Sequence, residues 1–194
     1  MKRDRYLLLR ALHREGEKHD AGEVDRTLRY RNVDPETAHY ISMQVLLMNA
    51  TSVVELGTSN GYSTIWLADA VQQTGGRLIT VDIESQDEAI GNLERAGLST
   101  IVQCVRQDGG AFLASLPDQS VDVLFLDAER TRYVEWWPHP YRVLRTGGLM
   151  LIDNAHHPAP DELVGLIKLI DNEPGLDHLT LMIGSGLILA RKTA

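Results

Sequence analysis

From residue 52 onward, short apolar runs alternate with longer stretches of helical periodicity. Residues 52–56, 77–81, 101–105, 121–126 and 149–152 read as strands, because they are short, rich in Val, Ile and Leu, and bounded by turn-forming residues. Residues 62–71, 86–96 and 163–170 carry the spacing of amphipathic helices, and Gly97 closes the second of these with a residue suited to a left-handed cap. The chain ends on two more apolar runs, 179–183 and 187–190, which predict a hairpin across Gly184-Ser185-Gly186. Residues 1 to about 48 differ: they are charged and helical throughout. Leu7, Leu8, Ala11 and Leu12 share a face, and Asp34-Pro35-Glu36 starts a second helix presenting Ile41, Val45 and Met48.

Strands alternating with helices predict parallel β-α-β units in an open doubly wound sheet, with the closing hairpin as an antiparallel edge. The run 121–126 lacks period-two alternation, as expected of a strand covered on both faces. Such sheets bind ligands beyond the carboxyl ends of their strands, so the residue after each strand carries the candidate chemistry. The first strand runs into Gly57-Thr58-Ser59-Asn60-Gly61, where two glycines let backbone turn tightly or approach a ligand. The spacing differs from G-x-G-x-x-G, which disfavours a pyrophosphate cradle, and a plain strand-to-helix turn is the simpler alternative. The second strand ends at Asp82, placed to accept both hydroxyls of a ribose or merely to face solvent. After the third strand comes Gln107-Asp108-Gly109, where Asp108 can accept from an adenine amine. Together these describe a nucleoside site without a phosphate site.

Composition narrows the class. With 194 residues, 43% hydrophobic and 24% charged, the chain suits one globular domain, an N-terminal helical extension or lid (1–48) preceding the core (49–194). A net charge of −8 without a basic block argues against nucleic acid and anionic membranes as partners. The lone cysteine, Cys104, excludes a disulfide framework and a cysteine-rich zinc site. The apolar run near the N-terminus, Tyr6 to Leu9, is too short for a signal peptide or membrane span, so a cytoplasmic protein is expected.

The segments VVELGTSNGYS, LITVDIE and RQDGGAFL resemble the S-adenosylmethionine-dependent methyltransferases of the Rossmann-like class. LFLDAERTRY followed by LIDNAHHP is similar to the metal-dependent O-methyltransferases, the group of catechol and caffeoyl-CoA O-methyltransferases, and the resemblance spans about residues 30 to 192. It implies a Rossmann-like α/β fold, a doubly wound seven-stranded sheet, mostly parallel with an antiparallel C-terminal strand and helices on both faces. It assigns cofactor contacts to Val33, Glu55, Gly57, Thr58, Ser59, Gly61, Tyr62, Ser63, Asp82, Ile83, Asp108, Gly109 and Asp127. Tyr62 and Ser63 fall at the methionine part and Asp82 at the ribose. Homodimers are common in this family, so a homodimer acting on a small-molecule acceptor is expected.

The same resemblance places metal ligands at Asp127, Asp153 and Asn154. Two carboxylates and an amide oxygen make a hard oxygen site suited to Mg²⁺, with Mn²⁺ or Ca²⁺ as further options, whereas capping of the following segments is the structural alternative for the two acids. A catechol-like acceptor would then be held with its hydroxyl favoured as the oxyanion, in line with the cofactor methyl. Three departures bear on the acceptor. Arg130 stands where many relatives carry a lysine base, and a guanidinium does not deprotonate, so it is expected to hold an oxyanion or carboxylate. His156 and His157 are the candidate proton acceptors instead, with metal polarisation alone as a second route and loop surface as the structural alternative for the two histidines. Ser185 replaces an acidic residue, and Ala128-Glu129 replaces bulkier neighbours of adenine. Trp136-Trp137 reads either as a wall of the acceptor pocket or as helix packing on the sheet. Competing functions are methyl transfer to nitrogen or another non-catechol acceptor without metal, and noncatalytic binding of an adenosyl ligand.

Overall fold

The structure, a computed structural model, describes residues 1–25 and 28–193. Its elements in chain order are α1 (Arg3–Gly22), α2 (Pro35–Leu47), β1 (Ser52–Leu56), α3 (Tyr62–Thr74), β2 (Arg77–Asp82), α4 (Asp87–Ala96), β3 (Val102–Arg106) and α5 (Gly109–Ser115). There follow β4 (Val121–Leu126), α6 (Tyr133–Trp136), α7 (His139–Val143), β5 (Leu144–Ile152), α8 (Val164–Asp171), β6 (Leu176–Leu181) and β7 (Leu187–Lys192). The strands form one seven-stranded sheet in the order β3-β2-β1-β4-β5-β7-β6. Pairs from β3 through to β5 are parallel, and β7 runs antiparallel to both β5 and β6.

The hairpin expected from the C-terminal pattern is present and forms the antiparallel edge of the sheet. β7 inserts beside β5 and leaves β6 outside. Burial explains the order: β7 carries Leu187, Ile188 and Ala190 into the core, whereas β6 alternates half-buried and exposed positions. β5 begins at Leu144, earlier than expected, so it continues through Gly147-Gly148. The helices α5, α6 and α7 are short and escaped the periodicity reading, which needs longer windows.

Side chains alternate between two cores, one on each face of the sheet. Val53, Val123, Phe125 and Leu151 face α1 to α4, against Leu9, Ile41, Ile65 and Leu93. Val54, Leu124, Leu126, Met150 and Ile152 face α5 to α8, against Phe112, Tyr133, Trp136 and Leu166. Trp136 is thus core: its indole lies where a Cβ on Gly110 would sit 2.1 Å from it, so the glycine is what lets α5 approach. α1 is docked by apolar Leu9 and Leu12 and by Arg5, which is buried and reaches Asp69 of α3 at 2.8 Å and the Ala96 carbonyl at 2.8 Å. No helix among the described residues is long and apolar enough to cross a membrane.

The register positions the site. Leu56 pairs with Val81 on one side and Leu126 on the other, and Leu126 pairs with Ile152. Gly57, Asp82, Asp127 and Asp153, each at or just past the end of its strand, therefore line one carboxyl edge. The backbone keeps them level: Gly57 N–H donates to Val81 O (2.9 Å), Asp127 N–H to Leu56 O (2.9 Å) and Asp153 N–H to Leu126 O (3.1 Å).

Candidate active site

The glycine loop is held from below and above. Gly57 has φ +100°, and a Cβ there would lie 2.0 Å from the Asp127 carbonyl oxygen, so no other residue lets β1 and β4 end side by side. Asp82 Oδ2 accepts from the N–H groups of Thr58 (2.8 Å) and Ser59 (3.0 Å), and Oδ1 accepts from Glu84 N–H (3.1 Å). Oδ2 thus has both lone pairs engaged, and Oδ1 keeps one that can accept from a ribose hydroxyl. Ile83 next to it is 62% exposed, an apolar side chain open at the rim. Gly61, with φ +85°, caps α3, whose first turn begins at Tyr62. Tyr62 is buried and packs on His13, ring centroids 5.5 Å apart.

Glu55 lies beneath this loop, fully buried. Its carboxyl accepts hydrogen bonds from Ser63 (2.6 Å), Thr64 (2.6 Å) and Thr80 (2.7 Å), so Ser63 and Glu55 are tied to each other. Burial raises the carboxyl to about 7 despite those three donors. Asp108 caps α5, accepting from Ala111 N–H at 2.9 Å, and sits 3.6 Å from Arg132. Gly109 packs against the Trp136 ring.

Residues 30–33, ahead of α2, cross above the loop. Tyr30 O accepts from Ser59 Oγ (2.8 Å), and the Tyr30 hydroxyl donates to Glu88 (2.8 Å). Asp20 of α1 accepts from the N–H groups of Tyr30 and Arg31, each at 2.8 Å, and Val33 is buried. Asp20 and Tyr30 were not legible as part of the site, since no local motif announces a carboxylate ten residues upstream of the turn it holds.

Asp127, Asp153 and Asn154 come together as the motif reading expected of neighbouring strand ends. Asn154 Nδ2 donates to Asp127 Oδ1 (3.1 Å) and to Asp153 Oδ2 (2.9 Å). Burial raises both carboxyls above the ordinary aspartate range. The charge of Asp153 raises Asp127 further, and that of Asp34 adds to the rise at Asp153. Asp153 Oδ1 is buried and has no hydrogen-bond partner among the described residues. Two crowded carboxyls with an orphaned oxygen fit a divalent cation, and an amide can turn about its terminal bond to offer oxygen in place of nitrogen. Among the described residues no group of three or more His, Cys, Asp and Glu side chains is arranged for a metal, so the set here depends on the Asn154 amide.

Arg130 is 8% exposed, and its guanidinium is engaged within the fold. It pairs with Glu162 at 2.6 Å and donates to the carbonyls of Asn154 (3.3 Å) and His157 (3.4 Å). It therefore clamps the backbone that carries Asn154. The expectation from sequence had it holding a ligand anion; Glu162, thirty-two residues away, was the partner that spacing does not reveal. The N–H groups of His156 and His157 both donate to Ser185 O (2.9 and 3.2 Å). His156 Nε2 is buried without a hydrogen-bond partner among the described residues, and the His157 side chain is exposed. Ser185 itself donates to Asp34 Oδ2 at 3.2 Å, so an acid from another element stands beside the position where the chain lacks one.

The chain is similar to known proteins. The sequence matches the family model described as O-methyltransferase over residues 8–193. A catechol O-methyltransferase of Niastella koreensis is 34% identical over 129 residues, 64% of this chain and 58% of that protein. The catechol O-methyltransferase of Mycobacterium tuberculosis is 28% identical over 70% of this chain and 60% of its own length. These matches thus span less than two thirds of either relative. The crystal structure of an O-methyltransferase from Bacillus cereus in complex with S-adenosylhomocysteine superposes with a TM-score of 0.78 at 23% identity, covering 96% of this chain and 90% of that one. The chain belongs to the O-methyltransferase family.

Proposed function

We propose that the protein transfers a methyl group from S-adenosylmethionine to a hydroxyl of a small catechol-like acceptor, with a divalent cation, Mg²⁺ first, at Asp127, Asp153 and Asn154. The observation that carries the reading is the meeting of those three side chains, with Asp153 Oδ1 buried and unpaired among the described residues, at the same edge as the Gly57 loop and Asp82.

When bound, the cofactor supplies an activated methyl group, and the cation supplies positive charge that favours the acceptor hydroxyl as its oxyanion. The chain's own residues bind, orient and exclude water. Asp82 accepts from a ribose hydroxyl through Oδ1 while Oδ2 keeps its hold on the loop. Ile83 offers an apolar surface to the adenine. Tyr62, Ser63 and Val33 surround the methionine part, and the segment around Tyr30 covers it. Arg130 fixes the Asn154 backbone through its contacts with the Asn154 and His157 carbonyls. His156 Nε2 is the atom proposed to take the acceptor's proton. Catalysis on this reading is chiefly positioning within a site shielded from water.

The test needs no knowledge of the acceptor at the start. Calorimetric titration with S-adenosylhomocysteine is expected to show one-to-one binding with and without Mg²⁺. Chelation is then expected to abolish methylation of catechol while leaving that binding intact, and Asp127→Asn is expected to reproduce the effect of chelation. Absence of binding by folded protein would overturn the cofactor assignment. Methylation unaffected by chelator would favour metal-independent transfer.

A further inference from the structure

Near the acidic edge of the site stands a cation without a partner among the described residues. Arg31 lies at the tip of the turn that crosses the glycine loop. The turn is fixed on several sides. Asp20 Oδ2 accepts from Arg31 N–H at 2.8 Å, Asp20 Oδ1 from Tyr30 N–H, the Tyr30 ring stacks on His19 at 4.2 Å, and Ser59 donates to Tyr30 O. Asn32 on the other side donates to Leu12 O at 3.4 Å. Arg31 itself has φ +49°, a left-handed conformation that a residue with a long side chain rarely adopts. The contacts around it hold this unfavourable backbone in place, and the side chain is left exposed.

Among the described residues the Arg31 guanidinium forms no ion pair and no hydrogen bond. The turn that carries it is tied to Ser59 of the glycine loop, and Gly57 of that loop lies against the Asp127 carbonyl. The other cations around the site are engaged: Arg130 with Glu162, and Arg132 with Asp108 and Glu135. A guanidinium on a rigid turn, with its donor fork unpaired among the described residues, suits bidentate binding of a carboxylate.

We propose that Arg31 binds a carboxylate of a ligand in the active site. The carboxylate comes either from the acceptor, which makes Arg31 a selector of acidic catechols, or from the methionine part of the cofactor. The inference rests on the proposed methyltransferase reading.

The experiment compares the wild type with Arg31→Asn, since asparagine tolerates a left-handed backbone, and with Arg31→Lys, which keeps the charge. Calorimetry measures affinity for S-adenosylhomocysteine. On the protein loaded with that ligand and Mg²⁺, it then measures 3,4-dihydroxybenzoate against catechol. If the acceptor is the source, Arg31→Asn leaves S-adenosylhomocysteine affinity unchanged and weakens dihydroxybenzoate by about tenfold or more with catechol unaffected. If the cofactor is the source, S-adenosylhomocysteine itself weakens by about that factor. Arg31→Lys recovers part of the loss in either case. An Arg31→Asn protein that matches the wild type for all three ligands overturns the proposal. Wild type that fails to bind S-adenosylhomocysteine overturns the methyltransferase reading, and this inference with it, before any variant is compared. Wild type that binds S-adenosylhomocysteine but neither catechol refutes the acceptor source, and the S-adenosylhomocysteine arm then decides alone.

Discussion

At the scale of single residues, buried carboxyls set the chemistry of the edge. Glu55 is raised from 4.5 to about 7 because burial outweighs three hydroxyl donors. In the unfolded chain it ionises near its ordinary value. Between those two values the folded state holds the proton and the unfolded state does not, so stability falls as pH rises through this window and levels off above it. The span corresponds to about 3 kcal/mol. Glu55→Gln removes the titration and keeps the shape. The gap in unfolding free energy between wild type and Glu55→Gln is therefore expected to shift by about 3 kcal/mol against the wild type from pH 4.5 to pH 7.5, read from urea denaturation at the two values. A constant gap would show that Glu55 titrates alike in both states. The sequence marked Glu55 by its place before the glycine loop, but the hydroxyls that surround it come from α3 and β2 and are visible only after folding.

At the scale of elements, the distinction is between what one strand end carries and what two segments share. Asp127, Asp153 and Asn154 were legible because parallel strands in register place successive strand ends side by side. The clamp was not legible: Arg130 follows β4, Glu162 precedes α8, and the carbonyls they steady lie in the loop after β5. Neither the apolar pattern nor a motif encodes that pairing. If the clamp orders the Asn154 backbone, Glu162→Gln is expected to weaken Mg²⁺ binding to the protein loaded with S-adenosylhomocysteine by about tenfold, while affinity for S-adenosylhomocysteine stays as in wild type. Calorimetry with Mg²⁺ as the titrant separates the two. Unchanged Mg²⁺ affinity would leave the Arg130–Glu162 pair as a structural contact alone. The same element-scale reasoning explains the order of the two strands within the hairpin. The C-terminal hairpin identifies β6 and β7 as partners, but which of them meets β5 depends on which has two buried faces, and only β7 does.

At the scale of the whole molecule, the question is whether the N-terminal helices form a lid or belong to the core. The sequence left both open, because an amphipathic helix reads the same whether its apolar face meets the domain permanently or in passing. The structure places Leu9 and Leu12 in the same apolar cluster as Ile65 and Leu93, and buries Arg5 against Asp69 and the last carbonyls of α4. The turn that α1 fixes through Asp20 is the one lying over the glycine loop. Anchoring of α1 and placement of the turn over the glycine loop are thereby parts of one assembly, and a separate lid would have to break a buried ion pair each time it opened. Removing one partner of such a pair strands the other charge, at a cost of about 3 kcal/mol or more. Arg5→Ala is therefore expected to lower the unfolding free energy by about that amount, in a single transition seen alike by far-UV circular dichroism and by tryptophan fluorescence. Trp66 of α3 and Trp136 of α6 lie on opposite faces of the sheet, so fluorescence reports both cores. An early transition confined to helix signal, with tryptophan emission and S-adenosylhomocysteine affinity untouched, would instead mark α1 as an independent lid. A single transition would make the described chain one cooperative unit, in which stability and access to the site are set by the same contacts.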